Sequence, residues 1–313
     1  MTSILLAFLI NASVFSIGGI GEDLSVFRVP FLKRDNITRI GFAINPEYTL
    51  LNQSGEFRGV FWTNPLKLSL SVPVTHGFSV MVGNLERYNQ CFDVYLEDSV
   101  LQVHALGEGG IEELYAGLNK RLGAFDLTLT GSFLFGNAYE IWTYKISAYS
   151  LVDTFSYRYR GGIFSIGLKH NMFSVFYEGL GKVRMIHLAE EDTAMIDLPQ
   201  RLSIGVYPRI GDWPVGIVYE RSFWEDSVYN SPNRFKLMVS RNTFGLAYYF
   251  NPWYLDDISE HAVDVDFAMP LRNVGVINVK MGFALRAKDG LREFKFMPKL
   301  TFVLNEIFAR RRK

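Results

Sequence analysis

Apolar and polar residues alternate with a period of two through most of this chain. In AFDLTLTGSFLFG, residues 124 to 136, Phe125, Leu127, Leu129, Gly131, Phe133 and Phe135 fall on one face of an extended strand, and Asp126, Thr128, Thr130 and Ser132 on the other. The same pattern sets Leu66, Leu68, Leu70, Val72 and Val74 against Lys67, Ser69 and Ser71, and Leu202, Ile204 and Val206 against Arg201 and Ser203. Phe235, Leu237 and Val239 oppose Arg234 and Lys236, while Val263, Val265, Phe267 and Met269 oppose Asp264 and Asp266. Towards the end, Ile277 to Leu285 oppose Lys280 and Arg286, and Phe294, Phe296, Leu300, Phe302 and Leu304 oppose Lys295, Lys299 and Thr301. Outside the first 50 residues no comparable 3.6-residue period occurs, so the pattern predicts an all-β protein.

The connections alternate in length. Short ones with Gly, Asn, Asp or Pro follow Val74, Arg121, Lys169, Tyr207, Ser240 and Met269. Between them lie longer polar segments at 86–109, 137–153, 181–198, 223–232 and 251–259, although the connection after Arg286, AKDG, is short where a long one is expected. This predicts a transmembrane antiparallel up-and-down β-barrel. Thirteen strands can be counted from residue 66 onward, and Glu56–Trp62 supplies an outward strand before them. The expected total is fourteen, with twelve to sixteen allowed.

Three features bear on whether the apolar face meets lipid. Many candidate strands run 9 to 13 residues, enough to traverse an apolar band of ~25 Å when tilted. Trp62, Trp142, Trp213, Trp224 and Trp253 all fall near predicted strand ends, the expected place of an aromatic girdle. The opposite face carries Lys67, Asp126, Arg201, Glu220, Arg234, Lys236, Asp264, Asp266, Lys280, Arg286, Lys295 and Lys299, a mixed set that a wet lumen accepts and lipid does not. These are the candidate lumen-lining residues. A secreted soluble β-sandwich also has one polar and one apolar face and stands as an alternative.

Composition supports a large apolar fold and excludes several functions. The 313 residues are 49% hydrophobic and include 26 Phe and 16 Tyr. Lys plus Arg equals Asp plus Glu at 32 each, which gives no basis for nucleic-acid binding. One cysteine, Cys91, provides neither a disulfide framework nor a zinc cluster. Residues 1–16 read as a signal peptide, with Ile4 to Ile10 as its apolar run and a processing site after Ser16. Residues 17–55 then form a periplasmic or lumenal segment, 56–304 the barrel, and 305–313, ending in RRRK, a basic periplasmic tail.

FWTNPLKLSLSVPVTHGFSVMVGN resembles a segment of the long-chain fatty acid transporter family of outer-membrane barrels, in which an aromatic residue precedes an Asn-Pro pair that leads into an early strand. Phe61, Asn64 and Pro65 carry the match, with Leu66 where the family usually has Ala. GGIEELYAGLNKRLGAFDLTLTGSFLFG is similar to the family's Gly-initiated strand, short turn and strand. The resemblance implies a fourteen-stranded barrel that admits hydrophobic molecules, with its N-terminal segment folded into the lumen as a plug. The family's Gly-rich plug signature is absent from IGGIGEDLSVFRVPFLKRDN, and no ligand-contacting residue carries over.

Catalytic and metal motifs are lacking. The five histidines show no ligand spacing, no G-x-S-x-G elbow occurs, and GEGG at 107–110 lacks the Lys and Ser or Thr of a phosphate loop. No enzyme activity, cofactor or metal is expected. Asp264 and Asp266, about 7 Å apart on one strand face, read as part of a charge ladder with Lys280, Arg286 and Lys295. Glu190, Glu191 and Asp192 form an acidic external loop. Pro298 cannot donate a ladder hydrogen bond, which makes it a candidate wall kink where the barrel opens sideways; an unbroken ladder around it would remove that idea.

The sequence therefore points to a bacterial outer-membrane barrel for passive transport or binding of small hydrophobic molecules, in contact with membrane lipid and lipopolysaccharide. The alternative within the membrane is a structural or assembly barrel with a plugged lumen.

Overall fold

A computed structural model describes residues 20, 22–27, 38–53, 56–63, 67–74, 77–97, 101–179, 181–189, 192–225, 229–255, 257–272, 274–288 and 291–305. Residues 1–16, expected above to be a signal peptide, together with Asn64, Pro65, Leu66, Glu190, Glu191 and the RRRK stretch, lie outside the described residues. The described chain is all strand and closes into an antiparallel barrel of fourteen wall strands.

In chain order these are β1 (Arg39–Ile44 and Pro46–Gln53), β2 (Glu56–Thr63 and Lys67–Pro73), β3 (Phe78–Asn89 and Phe92–Glu97), β4 (Leu101–Leu122), β5 (Phe125–Ile146), β6 (Tyr149–Lys169) and β7 (Phe173–Gly179 and Lys182–His187). They continue as β8 (Thr193–Asp197 and Gln200–Val206), β9 (Trp213–Phe223), β10 (Asn233–Arg241), β11 (Phe244–Pro252), β12 (Ser259–Leu271), β13 (Gly275–Lys288) and β14 (Leu291–Asn305). Each strand pairs with its sequence neighbours. The circle closes where β14 pairs with both parts of β1, through Ile44 opposite Leu300 and Tyr48 opposite Phe296. Closure leaves no free sheet edge around most of the wall, as a lipid-exposed backbone requires.

The strand count agrees with the sequence reading, but the first strand does not. Glu56–Trp62 belongs to β2, and the outward strand before it is Arg39–Gln53, so the wall begins ahead of residue 56. Asn45 and Pro46 interrupt alternation in that stretch and hide the strand. The supposed loops 86–109, 137–153 and 181–198 are also largely strand: β4 and β5 are 22 residues each. Above the lipid both faces of a hairpin meet water, so the ladder continues without the alternation that marks a strand in sequence. At the other end the turns are tight. Gly123 and Asn242 take φ of 63° and 52° in two-residue turns, the left-handed backbone such turns need.

Faces sort as the alternation predicts. Phe133 is 51% exposed, Leu118 51% and Phe235 48%, all on the outside, while Thr128, Thr130 and Leu134 are buried within. Among the described residues no second layer covers the outward stripe, and the wall is one sheet closed on itself, which removes the soluble sandwich; an outward apolar band of this kind is the face a membrane barrel turns to lipid.

Pro298 has a different context on each side. Its ladder to β13 runs through without a register change, Met281 standing opposite Pro298. On the β1 side the pairing stops between Ile44–Leu300 and Tyr48–Phe296, and the shared register sets Pro46 opposite Pro298. Two residues without N–H donors face each other, so the break falls on the closing seam alone.

A second discontinuity involves β2. Lys67–Pro73 pairs with β3 up to Ser69 opposite Gly83, whereas Glu56–Thr63 pairs with β1. Among the described residues no ladder joins Glu56–Thr63 to β3. The edge of β3 is taken instead by the two-residue strand Glu22–Asp23, from inside the barrel.

Candidate functional site

The lumen is the concave, enclosed part of the molecule and holds its buried charge. All twelve predicted lumenal residues stand on the face turned away from the exposed apolar stripe. The structure gathers them into groups at different depths.

The first group is a belt of ion pairs. Arg87 at the β3 bulge donates to both carboxylate oxygens of Glu178, one at 2.9 Å, and lies 3.3 Å from Glu113. Arg201 donates to Asp23 at 2.6 Å and to the Ser25 carbonyl and hydroxyl oxygens at 2.8 and 3.0 Å. Arg234 bonds Glu220 at 3.2 Å, Ser222 at 2.5 Å and Asn251 at 2.7 Å. Arg286 pairs with Glu22, Glu260 and, at 3.0 Å, Glu293; Lys295 pairs with Glu47 and, at 2.7 Å, Glu22. Burying a lone charge costs several kcal/mol per ion, and this network is the arrangement that keeps each one matched.

Residues 22–27 tie the belt together across the lumen. Glu22 reaches β13 and β14, Asp23 reaches β8, the Leu24 N–H donates to the Arg87 carbonyl on β3 at 3.0 Å, and the Phe27 N–H donates to Glu220 on β9 at 3.0 Å. A segment bonded to opposite walls lies across the passage between them.

On the side of the belt towards the long hairpins is an apolar cluster. Ile20, Tyr88, Ile111, Leu134, Ala138, Tyr159, Ile163, Val183, Leu198 and Tyr254 are buried together, with Trp224, Tyr229 and Leu255 packed against them. Trp224, Tyr229 and Tyr254 form a triad with ring centroids 4.7 to 5.2 Å apart. The Tyr159 hydroxyl donates to Gln90 at 3.0 Å, giving this polar atom a partner inside an apolar setting.

The third group lies towards the short turns. Lys280 pairs with Asp264, and the ammonium groups of Lys236 and Lys280 sit 4.8 and 5.5 Å from the Tyr249 ring centre. Asp266, Lys299 and Lys67 occupy the same inner face nearby, and Asp126 stands on that face near the turn after β4. A cavity of about 360 Å³ opens here, lined by Phe27, Lys169, Asn171, Tyr207, Val218, Lys236 and Met238.

The aromatic girdle is corrected. Trp213 does face outward, 40% exposed, with the Arg241 guanidinium 5.0 Å from its ring centre. Trp253 is buried inside, beneath Arg286 at 4.5 Å, and Trp224 belongs to the lumenal triad. Trp142 shares the inward side of β5 with Tyr144, on which it stacks, and donates to Glu140 at 3.2 Å. Trp62 lies in Glu56–Thr63, and its side chain is outside the described residues. Position near a strand end does not say which face a ring takes, and connections folding back over the mouth carry their tryptophans inward.

Sequence reasoning missed Arg87, Glu113, Glu178, Glu260, Glu293, Glu47, Glu22 and Asp23. Arg87 occupies a bulge in a stretch read as loop, and Glu178 shares its inner face with Phe176, so neither is flagged by alternation. Among the described residues no group of His, Cys, Asp and Glu has the form of a metal site.

The molecule is thus a fourteen-stranded transmembrane barrel whose lumen is crossed by a short segment of its own chain. Neither a family model nor a curated protein sequence matches it. Its fold is similar to that of solved structures: a CymD monoaromatic hydrocarbon channel, with TM-score 0.57 at 9% identity over 87% of this chain and 89% of that one, and the Pseudomonas putida toluene transporter TodX, with TM-score 0.54 at 10% identity over 88% and 90%. The chain resembles the long-chain fatty acid transporter family in this fold.

Proposed function

We propose that this barrel lies in a bacterial outer membrane, short turns towards the periplasm, and passively takes up small hydrophobic molecules. The observation that carries this reading is the layered lumen: an aromatic and aliphatic cluster at the long-hairpin end, above a belt of buried ion pairs. Hydrophobic solute from outside meets the Trp224, Tyr229 and Tyr254 triad first, where transfer from water is favourable at about 25 cal/mol per Å² of apolar surface. The charged belt and residues 22–27 then block direct passage to the periplasm. Release runs sideways, past the β2–β3 discontinuity, where the wall is sealed by the Glu22–Asp23 strand rather than by β2.

The fold shared with a hydrocarbon channel and a toluene transporter supports a monoaromatic hydrocarbon as the first substrate to test. Proteoliposomes containing the barrel are expected to accumulate toluene faster than protein-free liposomes, and the Trp224→Ala/Tyr254→Ala variant to be slower. Equal rates with and without protein would refute transport.

A second reading has its own observation. Residues 22–27 are bonded to five wall strands, which also suits a permanently closed barrel serving as anchor or platform. Failure of uptake with native heat-modifiable migration on gels would favour it.

A further inference from the structure

Arg158, Arg160 and Arg184 form an exposed cluster on the outside of the wall. Their neighbours Tyr159 and Val183 point inward and are buried, so the three guanidinium groups lie on the lipid side of β6 and β7. Arg160 stands directly opposite Arg184 in the ladder, and Arg158 follows one pleat above. Cross-strand neighbours of this kind have Cβ atoms about 5 Å apart, and residues two apart on a strand about 7 Å. None of the three has an ion-pair partner among the described residues, and the adjoining Lys182 is already paired with Asp197 at 3.0 Å. Like charges set directly opposite destabilise a sheet unless something neutralises them.

The height of the cluster indicates what does. Arg160 is also opposite Phe135 of β5, the last member of the unbroken apolar run that begins at Phe125 on the outward face. Above Phe135 the run is broken by Asn137, with the interfacial ring of Tyr139 and then Ile141 beyond it; below Arg160 the outward face of β6 continues with Gly162, Phe164 and Ile166. From Phe125 to Phe135 the strand spans 11 residues, which at ~3.3 Å rise and ~40° tilt makes a band of ~25 to 30 Å, the apolar height of an outer-membrane wall. The arginines therefore stand where hydrocarbon gives way to headgroups, at the end away from the short turns. Arginine binds phosphate through a planar fork of donors and is the residue suited to this task.

We propose that Arg158, Arg160 and Arg184 bind the phosphorylated headgroup of an outer-leaflet glycolipid of the lipid A type. The inference rests on the orientation given above, with the long hairpins outside, and is independent of what the lumen carries. Its acyl chains would lie along Phe133, Phe164 and Ile166, all exposed on the same side.

The experiment uses the full chain in neutral detergent. Native mass spectrometry with bisphosphorylated lipid A, dephosphorylated lipid A and inorganic phosphate separates headgroup recognition from acyl-chain partition and from free-anion binding. Retention of bisphosphorylated lipid A alone is expected. The Arg158→Gln/Arg160→Gln/Arg184→Gln variant should weaken it on the order of 100-fold, from the roughly fivefold each surface cation contributes to attraction of anionic lipid. Arg209→Gln/Arg241→Gln, at the short-turn end, should leave it unchanged. Equal retention of the dephosphorylated lipid, competition by millimolar phosphate, or equal loss in both variants would each overturn the proposal. Toluene uptake by the triple variant should match wild type, so a wild-type protein that binds lipid A but transports nothing sinks the transport reading and leaves this one standing.

Discussion

Arg201→Gln tests how residues 22–27 are held in the lumen. The Arg201 side chain is 1% exposed and donates to Asp23 at 2.6 Å and to two oxygens of Ser25 at 2.8 and 3.0 Å. Truncating one partner of a buried ion pair costs about 3 to 5 kcal/mol, because the other charge stays in a dry site without compensation. Here Asp23 has an escape, since the segment can leave the wall and carry its carboxylate into water. The cost therefore appears as undocking, and about 3 kcal/mol shifts the docked-to-undocked ratio on the order of 100-fold.

Single-cysteine labelling reads that ratio. Cys91 is buried and is replaced by Ser; Leu24→Cys places the probe on the segment, where the docking contact is a backbone bond to Arg87. The maleimide labelling rate in detergent should rise on the order of 100-fold in Arg201→Gln. Adding Asp23→Asn should recover part of the loss, because the orphaned charge is then gone. A rate within about twofold of the parent, in protein that still migrates as a folded barrel, would refute the claim that this ion pair holds the segment.

Three further outcomes are expected. Leu118→Lys, four residues up the outward face of β4, should cost ~2 to 4 kcal/mol in a lipid-refolding titration against ~0 to 1 for Leu122→Lys at the strand end; equal costs would contradict an acyl environment. Gly136→Ala should destabilise by ~1 to 3 kcal/mol, because a Cβ there falls on the Gly110 carbonyl oxygen, whereas Gly131→Ala meets open space and should be neutral; the temperature at which the compact gel band is lost measures both. Pro298→Val should leave that temperature within a few degrees of wild type, since Pro46 opposite it still lacks a donor; the Pro46→Val/Pro298→Val pair should raise it by completing the seam.

The sequence by itself determined which side of each strand meets which solvent. Side-chain direction alternates strictly along a strand, so Phe125 to Phe135 and Lys280 with Arg286 declared their faces before any pairing was known. It also determined the all-β class and the alternation of short and long ends, because turn residues are local signals. Strand β1 escaped because Asn45-Pro46 breaks its period, and the tops of β4, β5 and β6 because water on both faces erases it. Only closure of the barrel decided which charges meet: Arg286 bonds Glu22 from a residue 264 positions away, and Arg201 bonds Asp23 across 178. Such partners share no strand, turn or period. They are set by where the circle brings its walls opposite one another, and by the rule that a charge inside a low-dielectric enclosure must find an opposite one within reach.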